Sequence, residues 1–142
     1  MKKKPVELHF EDIEINDEIK FHVKITEKML DDFAELSGDY NPIHTNYEYA
    51  KKTNYGDRLC HGMLLASFFS RLVGMYIPGK NALYFSQSLN FRKPCFINDE
   101  VTVFGTVIEK KSSTKMIKLK TVIKNLKDQI ILDGEAKVIV RN

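Results

Sequence analysis

The sequence predicts an α+β fold in which an antiparallel β-sheet wraps around one long central helix. The segment 62–76 carries apolar residues on nearly every helical face, and a helix of this kind has to be enclosed by protein. Four segments after it have the composition and spacing of strands and are separated by turn residues. Because consecutive strands readily form an antiparallel meander, one sheet around one apolar helix is the simplest packing.

The chain before the central helix contains a strand and a short helix. Apolar residues at 19, 21, 23 and 25 alternate with polar ones, which predicts a half-buried strand over 19–25. Thr26 is a suitable N-cap, apolar residues with helical spacing follow it, and Gly38 comes just after the last of them. These signals predict an amphipathic helix between Thr26 and Gly38.

The segment 38–62 is expected to be irregular apart from one helical turn over 47–52. It is rich in Asn, Asp, Gly, His and Tyr. Structureless connections of this length are uncommon inside compact domains, and those that occur usually carry function. The functional site is therefore expected here.

The rest of the chain is predicted to form the sheet. The strands are expected at 82–92, 100–109, 116–124 and 130–141, with turn signals at Asn98-Asp99, Ser112-Ser113 and Lys127-Asp128. Together with the first strand they make five. A five-stranded sheet around a helix has one exposed flank and open edges, so we expect self-association through an edge.

The composition restricts the class of protein. The 142 residues, 43% of them hydrophobic, describe one domain over 1–142, because a chain of this size buries a sizeable core without disulfides or metals. The net charge of +3 comes from basic and acidic residues mixed along the chain. That balance predicts no nucleic-acid partner, although it suits a phosphate-bearing ligand. Cys60 and Cys95 fit neither a metal cluster nor a secreted disulfide framework, so we expect free thiols.

The N-terminus and the longest apolar segment indicate where in the cell the protein is expected. The positive start, 1–4, is not followed by the apolar region of a signal peptide. The segment 63–77 contains Ser67, Ser70 and Arg71, and it falls short of the ~18–20 apolar residues that a membrane helix needs. We therefore expect a cytoplasmic protein without membrane association.

One polar cluster could carry acid–base chemistry. Asp39 and His44 lie five positions apart, just after Gly38 and on either side of Pro42. A carboxylate and a neutral imidazole on so stiff a segment could converge on one water molecule near pH 7. Each residue alone has a simpler interpretation, since Asp39 could bond nearby amides and His44 could be structural. The spacing by itself leaves both interpretations open.

A second cluster, His61-Gly62, stands at the entrance to the central helix. Free amides at a helix N-terminus bind anions and polarised carbonyl oxygens, and Gly62 would let a ligand approach the backbone closely. An oxyanion hole could therefore lie here. The alternative is that Gly62 is small because the sheet crosses it and that His61 is a core or capping residue.

The two clusters belong to a longer pattern that spans residue 26 to about residue 107 and contains the specific motif Gly-Asp-x-Asn-Pro-x-His. The residues of this pattern are Phe33-Ala34-Glu35-Leu36-Ser37-Gly38-Asp39-Tyr40-Asn41-Pro42-Ile43-His44, Ala50, Cys60-His61-Gly62-Met63-Leu64-Leu65-Ala66-Ser67, Gln87-Ser88-Leu89-Asn90-Phe91, Pro94 and Asn98-Asp99-Glu100-Val101. The pattern resembles the MaoC-like, (R)-specific enoyl-CoA hydratase family of hot-dog-fold proteins.

The resemblance implies a hot-dog homodimer, or an oligomer built from dimers, with the site near the subunit interface. It implies that Asp39 and His44 activate water for reversible syn addition to a trans-2-enoyl-CoA, giving the (3R)-hydroxyacyl-CoA; which of them is base and which is acid stays open. The Gly62 amide would bind the thioester oxygen. Asn41, His61 and Ser70 would position the reacting groups. The reaction needs neither a metal nor a cofactor.

Four basic residues are candidates for contact with the substrate's phosphates, and two other functions remain as alternatives. Arg58, Arg71, Arg92 and Lys93 could meet the phosphates of coenzyme A or the phosphopantetheine of an acyl carrier protein. Most of them are expected to be solvated surface, and only Arg92 and Lys93 are retained as candidates for CoA binding. Cys60 is interpreted as packing. A hot-dog acyl-CoA thioesterase is the alternative enzyme, and a non-catalytic acyl-CoA binder is the alternative without chemistry.

Overall fold

The computed structural model describes residues 3–141, so Met1, Lys2 and Asn142 of the predicted domain lie outside the described residues. The elements of the described part are β1 (Glu18–Lys24), α1 (Glu27–Ser37), α2 (Pro42–Thr45), α3 (Tyr47–Ala50), α4 (Gly62–Arg71), β2 (Ala82–Gln87), β3 (Asn90–Phe91), β4 (Glu100–Lys111), β5 (Met116–Asn125) and β6 (Ile130–Val140). A 3₁₀ turn, Phe10–Asp12, precedes β1, and a π-helical turn, Leu72–Tyr76, extends α4.

The strands form one antiparallel sheet in the order β1-β4-β5-β6-β2, and the short β3 pairs with β6. The predicted α+β class and the hot-dog arrangement of a sheet around a helix are confirmed. The expected meander is right for β4, β5 and β6 but wrong for β2, which pairs with β6. The physical reason is that β1 already pairs with the side of β4 that faces away from β5, so within residues 3–141 the edge of β6 is the one available to β2.

The core lies between α4 with its π-helical turn and the inner face of the sheet. Leu65, Phe69 and Leu72 are at most 2% exposed, and they pack with the inward-facing residues of β4, β5 and β6. Gly105 in β4 allows the helix to come close, because a Cβ atom there would lie 2.5 Å from Leu72 Cδ2. The opposite flank of α4 is open, and Met63 is 56% exposed there.

The predicted strand over 82–92 is divided into β2 and β3. Between them the Ser88 carbonyl presses against Gly134 of β6, where a Cβ atom would lie only 1.8 Å from Ser88 O. The Ser88 hydroxyl accepts a hydrogen bond from the Glu135 amide at 2.9 Å, which holds the break against the sheet. The break is therefore built by contacts with β6 and has no signal in the local sequence.

The helices before α4 follow their local signals. Thr26 Oγ1 accepts a hydrogen bond from the Met29 amide, and Gly38 ends α1 in the left-handed conformation at φ 80°. α3 falls inside the predicted turn 47–52, whereas α2 was not predicted. Within residues 3–141 no helix is both long enough and apolar enough to cross a membrane.

Candidate active site

A cavity of about 540 Å³ opens between the segment after α1, the start of α4 and the segment after β3. Its polar wall contains Asp39, His44 and His61, and Gly62 lies beside them. Its apolar wall includes Leu65 and Ile131. The two polar clusters that stand apart in the sequence therefore meet in one cavity.

The α2 turn presents His44 to this cavity. Asn41 Oδ1 accepts the Ile43 amide at 3.1 Å, and Pro42 occupies the first helical position. Proline is suited to that position because its missing N–H would be unpaired there in any case. Asn41, predicted to orient the segment, is thus the N-cap of α2.

The tautomer of His44 follows from its surroundings. His44 Nδ1 lies 2.8 Å from the carbonyl oxygen of Leu59. A carbonyl oxygen only accepts hydrogen bonds, so Nδ1 of the imidazole carries the hydrogen and donates it. In the neutral ring Nε2 then has a free lone pair. The neutral His44 side chain is therefore able to accept a proton at Nε2.

The Asp39 carboxylate is held at the cavity mouth by its neighbours. Its Oδ1 accepts a hydrogen bond from the Asn41 amide at 3.1 Å, and its own amide donates to Ser37 Oγ at 3.1 Å. A nitrogen or oxygen atom from each of Asp39, His44 and His61 lies within 4.8 Å of the other two. One water molecule could bridge groups that are this close.

His61 is buried behind the pair and touches both of its members. Its side chain is 2% exposed, its Nε2 donates to the Asp39 carbonyl oxygen at 3.1 Å, and its ring stacks on His44 with centroids 4.0 Å apart. The ring edge also meets Phe33. Burial lowers the pKa of His61, the Asp39 carbonyl opposes that shift, and the nearby His44 adds to it. His61 is thus a neutral support for the site.

Carboxylates and imidazoles such as those of Asp39, His44 and His61 can bind metals, and the geometry of the rings shows whether they suit one ion. A metal bonds an imidazole nitrogen along its lone pair, which lies in the plane of the ring. The two rings stack face to face, with only 23° between their planes. Lone pairs of stacked rings run side by side, so this arrangement suits hydrogen bonding better than coordination of one ion.

Gly62 lines the cavity and is the first residue of α4. A helix cannot pair its first N–H groups internally, and within residues 3–141 no acceptor is bonded to the Gly62 N–H. The ring of Phe91 covers Gly62, since a Cβ atom at Gly62 would lie 2.6 Å from Phe91 Cε1. An unpaired N–H donor at a helix N-terminus that lines a cavity is suited to bind a carbonyl oxygen.

Cys60 and Cys95 are adjacent buried thiols in the cavity wall. A hydrogen bond with the Cys95 thiol, and then burial, raise the pKa of the Cys60 thiol. A raised pKa leaves little of the thiolate that a nucleophile requires. This agrees with the interpretation of Cys60 as packing.

Of the other predicted site residues, two line the cavity and one lies outside it. Arg92 and Lys93 both line the cavity. Arg92 Nε is paired with Asp133 at 3.2 Å, whereas Lys93 has no carboxylate partner in the described part of the chain. Ser70 does not line this cavity, because it lies further along the open flank of α4, in a shallow cleft with Phe33, Met63 and Tyr84. Its positioning role stays a prediction.

Sequence reasoning missed two neighbours of the site. Arg58, expected at the surface, is only 6% exposed, and that expectation was wrong. Its guanidinium is turned inward because it bonds the main chain of α2 and two carboxylates of α1. Phe91 covers Gly62 from a segment 29 positions later. Neither contact has a local signal, because each joins distant parts of the chain.

Comparison with known proteins identifies the family. The family described as MaoC-like domain matches residues 11–129. The chain belongs to the MaoC-like family. Among curated relatives of this MaoC-like chain, an (R)-specific enoyl-CoA hydratase of Rhodospirillum rubrum is 37% identical, with 93% of this chain and 91% of the relative covered. A 3-hydroxybutyryl-CoA dehydratase of Methylorubrum extorquens is 38% identical, with 94% and 84% covered.

Solved structures agree with the fold of this MaoC-like chain. The unliganded (R)-hydratase of Pseudomonas aeruginosa superposes with a TM-score of 0.93 at 29% identity, over 96% of this chain and 87% of that chain. The matched residues 11–129 include both polar clusters of the cavity. The family resemblance drawn from the Gly-Asp-x-Asn-Pro-x-His motif is therefore confirmed.

Proposed function

We propose that the protein is an (R)-specific enoyl-CoA hydratase, which reversibly adds water to a trans-2-enoyl-CoA to give the (3R)-hydroxyacyl-CoA. The observation that carries the proposal is the convergence in one cavity of Asp39, His44 and Gly62, whose amide is unpaired within residues 3–141. Relatives named for hydration and dehydration support the same hydro-lyase chemistry. The R stereochemistry rests on the names of those relatives.

The reaction needs a proton acceptor for water, a proton for C2 and a donor for the thioester oxygen. Water is held between Asp39 and His44, and Nε2 of neutral His44 accepts its proton as the oxygen bonds to C3. Negative charge moves to the thioester oxygen, where the Gly62 N–H stabilises it. The proton taken up by the Asp39–His44 pair then passes to C2, so the atoms of one water are added on the same face.

The other predicted residues have supporting parts in this proposal. Asn41 fixes α2, and His61 holds the Asp39 main chain while its ring supports His44. Lys93 would meet a phosphate of coenzyme A or of an acyl carrier protein, because in the described chain it has no carboxylate partner, whereas Arg92 is paired with Asp133. Ser70 is retained as a support from the open flank.

The open flank of α4 and the strand β2 support the predicted homodimer. Met63, Leu83 and Phe85 are between 51% and 63% exposed. β2 pairs with β6 on one side only, so its other edge has no strand beside it within residues 3–141. An exposed apolar surface next to an open edge is typical of a self-association site.

The proposal is tested by mixing purified protein with crotonyl-CoA and following the absorbance of the conjugated thioester, with a thiol reagent present. Loss of absorbance without release of coenzyme A is expected, and Asp39→Asn should slow this loss by about 10²- to 10⁴-fold. Asp32→Asn, on the exposed face of α1, is the matched control and should retain the activity. Release of free thiol would instead indicate the thioesterase, which uses the same kinds of group. Binding without any reaction would indicate a non-catalytic acyl-CoA binder.

A further inference from the structure

We infer that Arg58 is a positioning residue for His44, and that its guanidinium fixes the catalytic imidazole relative to α1. This inference rests on the proposed function, since it assigns a task to a residue that supports the proposed proton acceptor. Arg58 belongs to neither of the motifs that carry the family resemblance.

The contacts of Arg58 join two elements. Its Nε donates to the main-chain carbonyl of His44 at 2.6 Å. Its two terminal nitrogens donate to Glu27 Oε1 at 3.2 Å and to Asp31 Oδ1 at 2.7 Å, both on α1. The planar guanidinium is able to bond three acceptors in fixed directions, which a lysine ammonium on a flexible stem does not reproduce. One side chain thus ties α2 to α1.

α2 depends on such external bonds. It has four residues, and a single helical turn is unstable in isolation. Three hydrogen bonds fasten it to residues 58 and 59: Arg58 Nε to the His44 carbonyl, the Leu59 amide to the Ile43 carbonyl at 3.0 Å, and His44 Nδ1 to the Leu59 carbonyl at 2.8 Å. The last of these sets the tautomer of His44.

The segment that carries Arg58 is itself fixed. The Ile97 amide donates to the Arg58 carbonyl at 3.0 Å, and the Cys60 amide donates to the Cys95 carbonyl at 2.7 Å. These bonds bracket an antiparallel bridge between Leu59 and Phe96. Arg58 is therefore a rigid support on which the short α2 turn is mounted.

Packing alone does not account for a buried arginine here. The Arg58 side chain is 7% exposed, so its charged group loses hydration, whereas an apolar side chain would fill the space without that loss. The paired carboxylates of Glu27 and Asp31 are 71% and 56% exposed, so they remain close to water. The third donor of the Arg58 guanidinium, Nε, bonds the main-chain carbonyl of His44, the proposed catalytic residue. This placement points to the orientation of His44.

The kinetic test compares Arg58→Met with the pair Asp31→Asn and Asp32→Asn. A displaced imidazole lowers kcat for crotonyl-CoA by about 100-fold in Arg58→Met, while KM stays within about twofold because substrate binding is untouched. Asp31→Asn should show a smaller fall in kcat. Asp32→Asn is the matched control, because the Asp32 carboxylate is exposed and pairs with Lys28 at the surface. Equal kcat for the two Asn variants would overturn the inference, including in the case where Arg58→Met does not fold.

A second readout reports the imidazole directly. The ¹⁵N shifts of the His44 ring, assigned with His44→Gln, should show hydrogen on Nδ1 in the wild type and a mixture of tautomers in Arg58→Met. An unchanged tautomer and a kcat within about twofold of wild type in a folded Arg58→Met protein would overturn the inference. If the wild type does not hydrate crotonyl-CoA, the proposed function fails, and the tautomer measurement still decides the role of Arg58.

Discussion

At the scale of single residues, the site depends on which hydrogen-bonding groups are already occupied. His44 Nδ1 is used by the Leu59 carbonyl, and one oxygen of Asp39 is used by the Asn41 amide. Among Asp39, His44 and Gly62, the groups without a hydrogen-bond partner in the described chain are His44 Nε2, the second Asp39 oxygen and the Gly62 N–H. These are the acceptors and the donor that hydration of an enoyl thioester requires.

The lowered pKa of His61 predicts how stability depends on pH. The folded chain keeps His61 neutral, whereas the unfolded chain takes up a proton there as the pH falls through the ordinary histidine range. This contribution to the free energy of unfolding is fully present above about pH 6.5 and is lost as the pH falls towards the folded-state pKa. Urea unfolding near pH 7.5 and 5.5 should therefore show a larger loss for wild type than for His61→Gln.

The control for that experiment is His22→Gln, since His22 is exposed on β1 and bonds Thr102. It should lose as much stability on acidification as the wild type. All variants are compared at one protomer concentration, because association would also shift the transition. Equal losses in wild type and His61→Gln would contradict the assignment of His61 as a buried neutral imidazole.

Lys93 gives a prediction about substrate binding. It lines the cavity without a carboxylate partner in the described chain, whereas Arg92 is paired. Lys93→Glu should raise KM for crotonyl-CoA, because a negative charge would repel the phosphates, and kcat should change little. Lys120→Glu, an exposed change elsewhere on the sheet, makes the same change in net charge and should leave KM unaltered. Equal KM values in the two variants would remove Lys93 from the binding site.

Some site residues could be predicted from sequence and others could not. Asp39, Asn41 and His44 fall within six positions, and the Gly62 amide follows from the start of one helix, so local spacing indicates their chemistry. Arg58 meets Glu27 and Asp31 at separations of 31 and 27 positions. Contacts at such distances are set by how α1 packs, which no short motif records.

At the scale of elements, capping residues and the alternation of apolar and polar residues were sufficient to predict the helices and strands whose bounds are set by local contacts. The Thr26 and Gly38 ends of α1 were predicted, and the spans of β1, β4, β5 and β6 were found to within a few residues. The division of the 82–92 segment was not predicted, because it arises where Ser88 O meets Gly134. The pairing of β2 with β6 was also missed. β2 pairs there because β1 already lies beside β4, and the strand patterns do not show where β1 is placed.

The break between β2 and β3 is tested by Gly134→Ala. The new Cβ atom would lie 1.8 Å from the Ser88 carbonyl, which is main chain and has little freedom to move. We expect a loss of about 1–3 kcal/mol in the free energy of unfolding. Gly74→Ala is the matched control, because a Cβ atom added at Gly74 meets no atom of the described residues within 4 Å, and this change should not destabilise the protein. A Gly134→Ala protein as stable as wild type would contradict the described contact.

At the scale of the whole molecule, the sheet covers one side of α4 and leaves the other side open. Phe85 is 63% exposed on β2, whose outer edge has no strand beside it within residues 3–141. Phe85→Glu should therefore convert the proposed dimer into a monomer, because a charge at an apolar interface is costly to bury. The mass in solution is measured by light scattering after size exclusion.

Leu126→Glu is the control for this change, since Leu126 is 73% exposed on the turn between β5 and β6. It should retain the mass of the wild type. A wild-type protein that is already monomeric would contradict the proposed homodimer. A Phe85→Glu protein that remains dimeric would place the interface elsewhere. Cytoplasmic location stays a prediction from the sequence.

The central claim is that Asp39 and His44 activate the same water molecule. It is tested most directly by measuring kcat for crotonyl-CoA hydration in Asp39→Asn, His44→Gln and the double variant. Each single change should lower kcat by about 10²- to 10⁴-fold, and the double variant should lose little more, because groups that act as a unit are strongly non-additive. Near-normal turnover in either single variant, or losses that simply multiply in the double variant, would contradict the account.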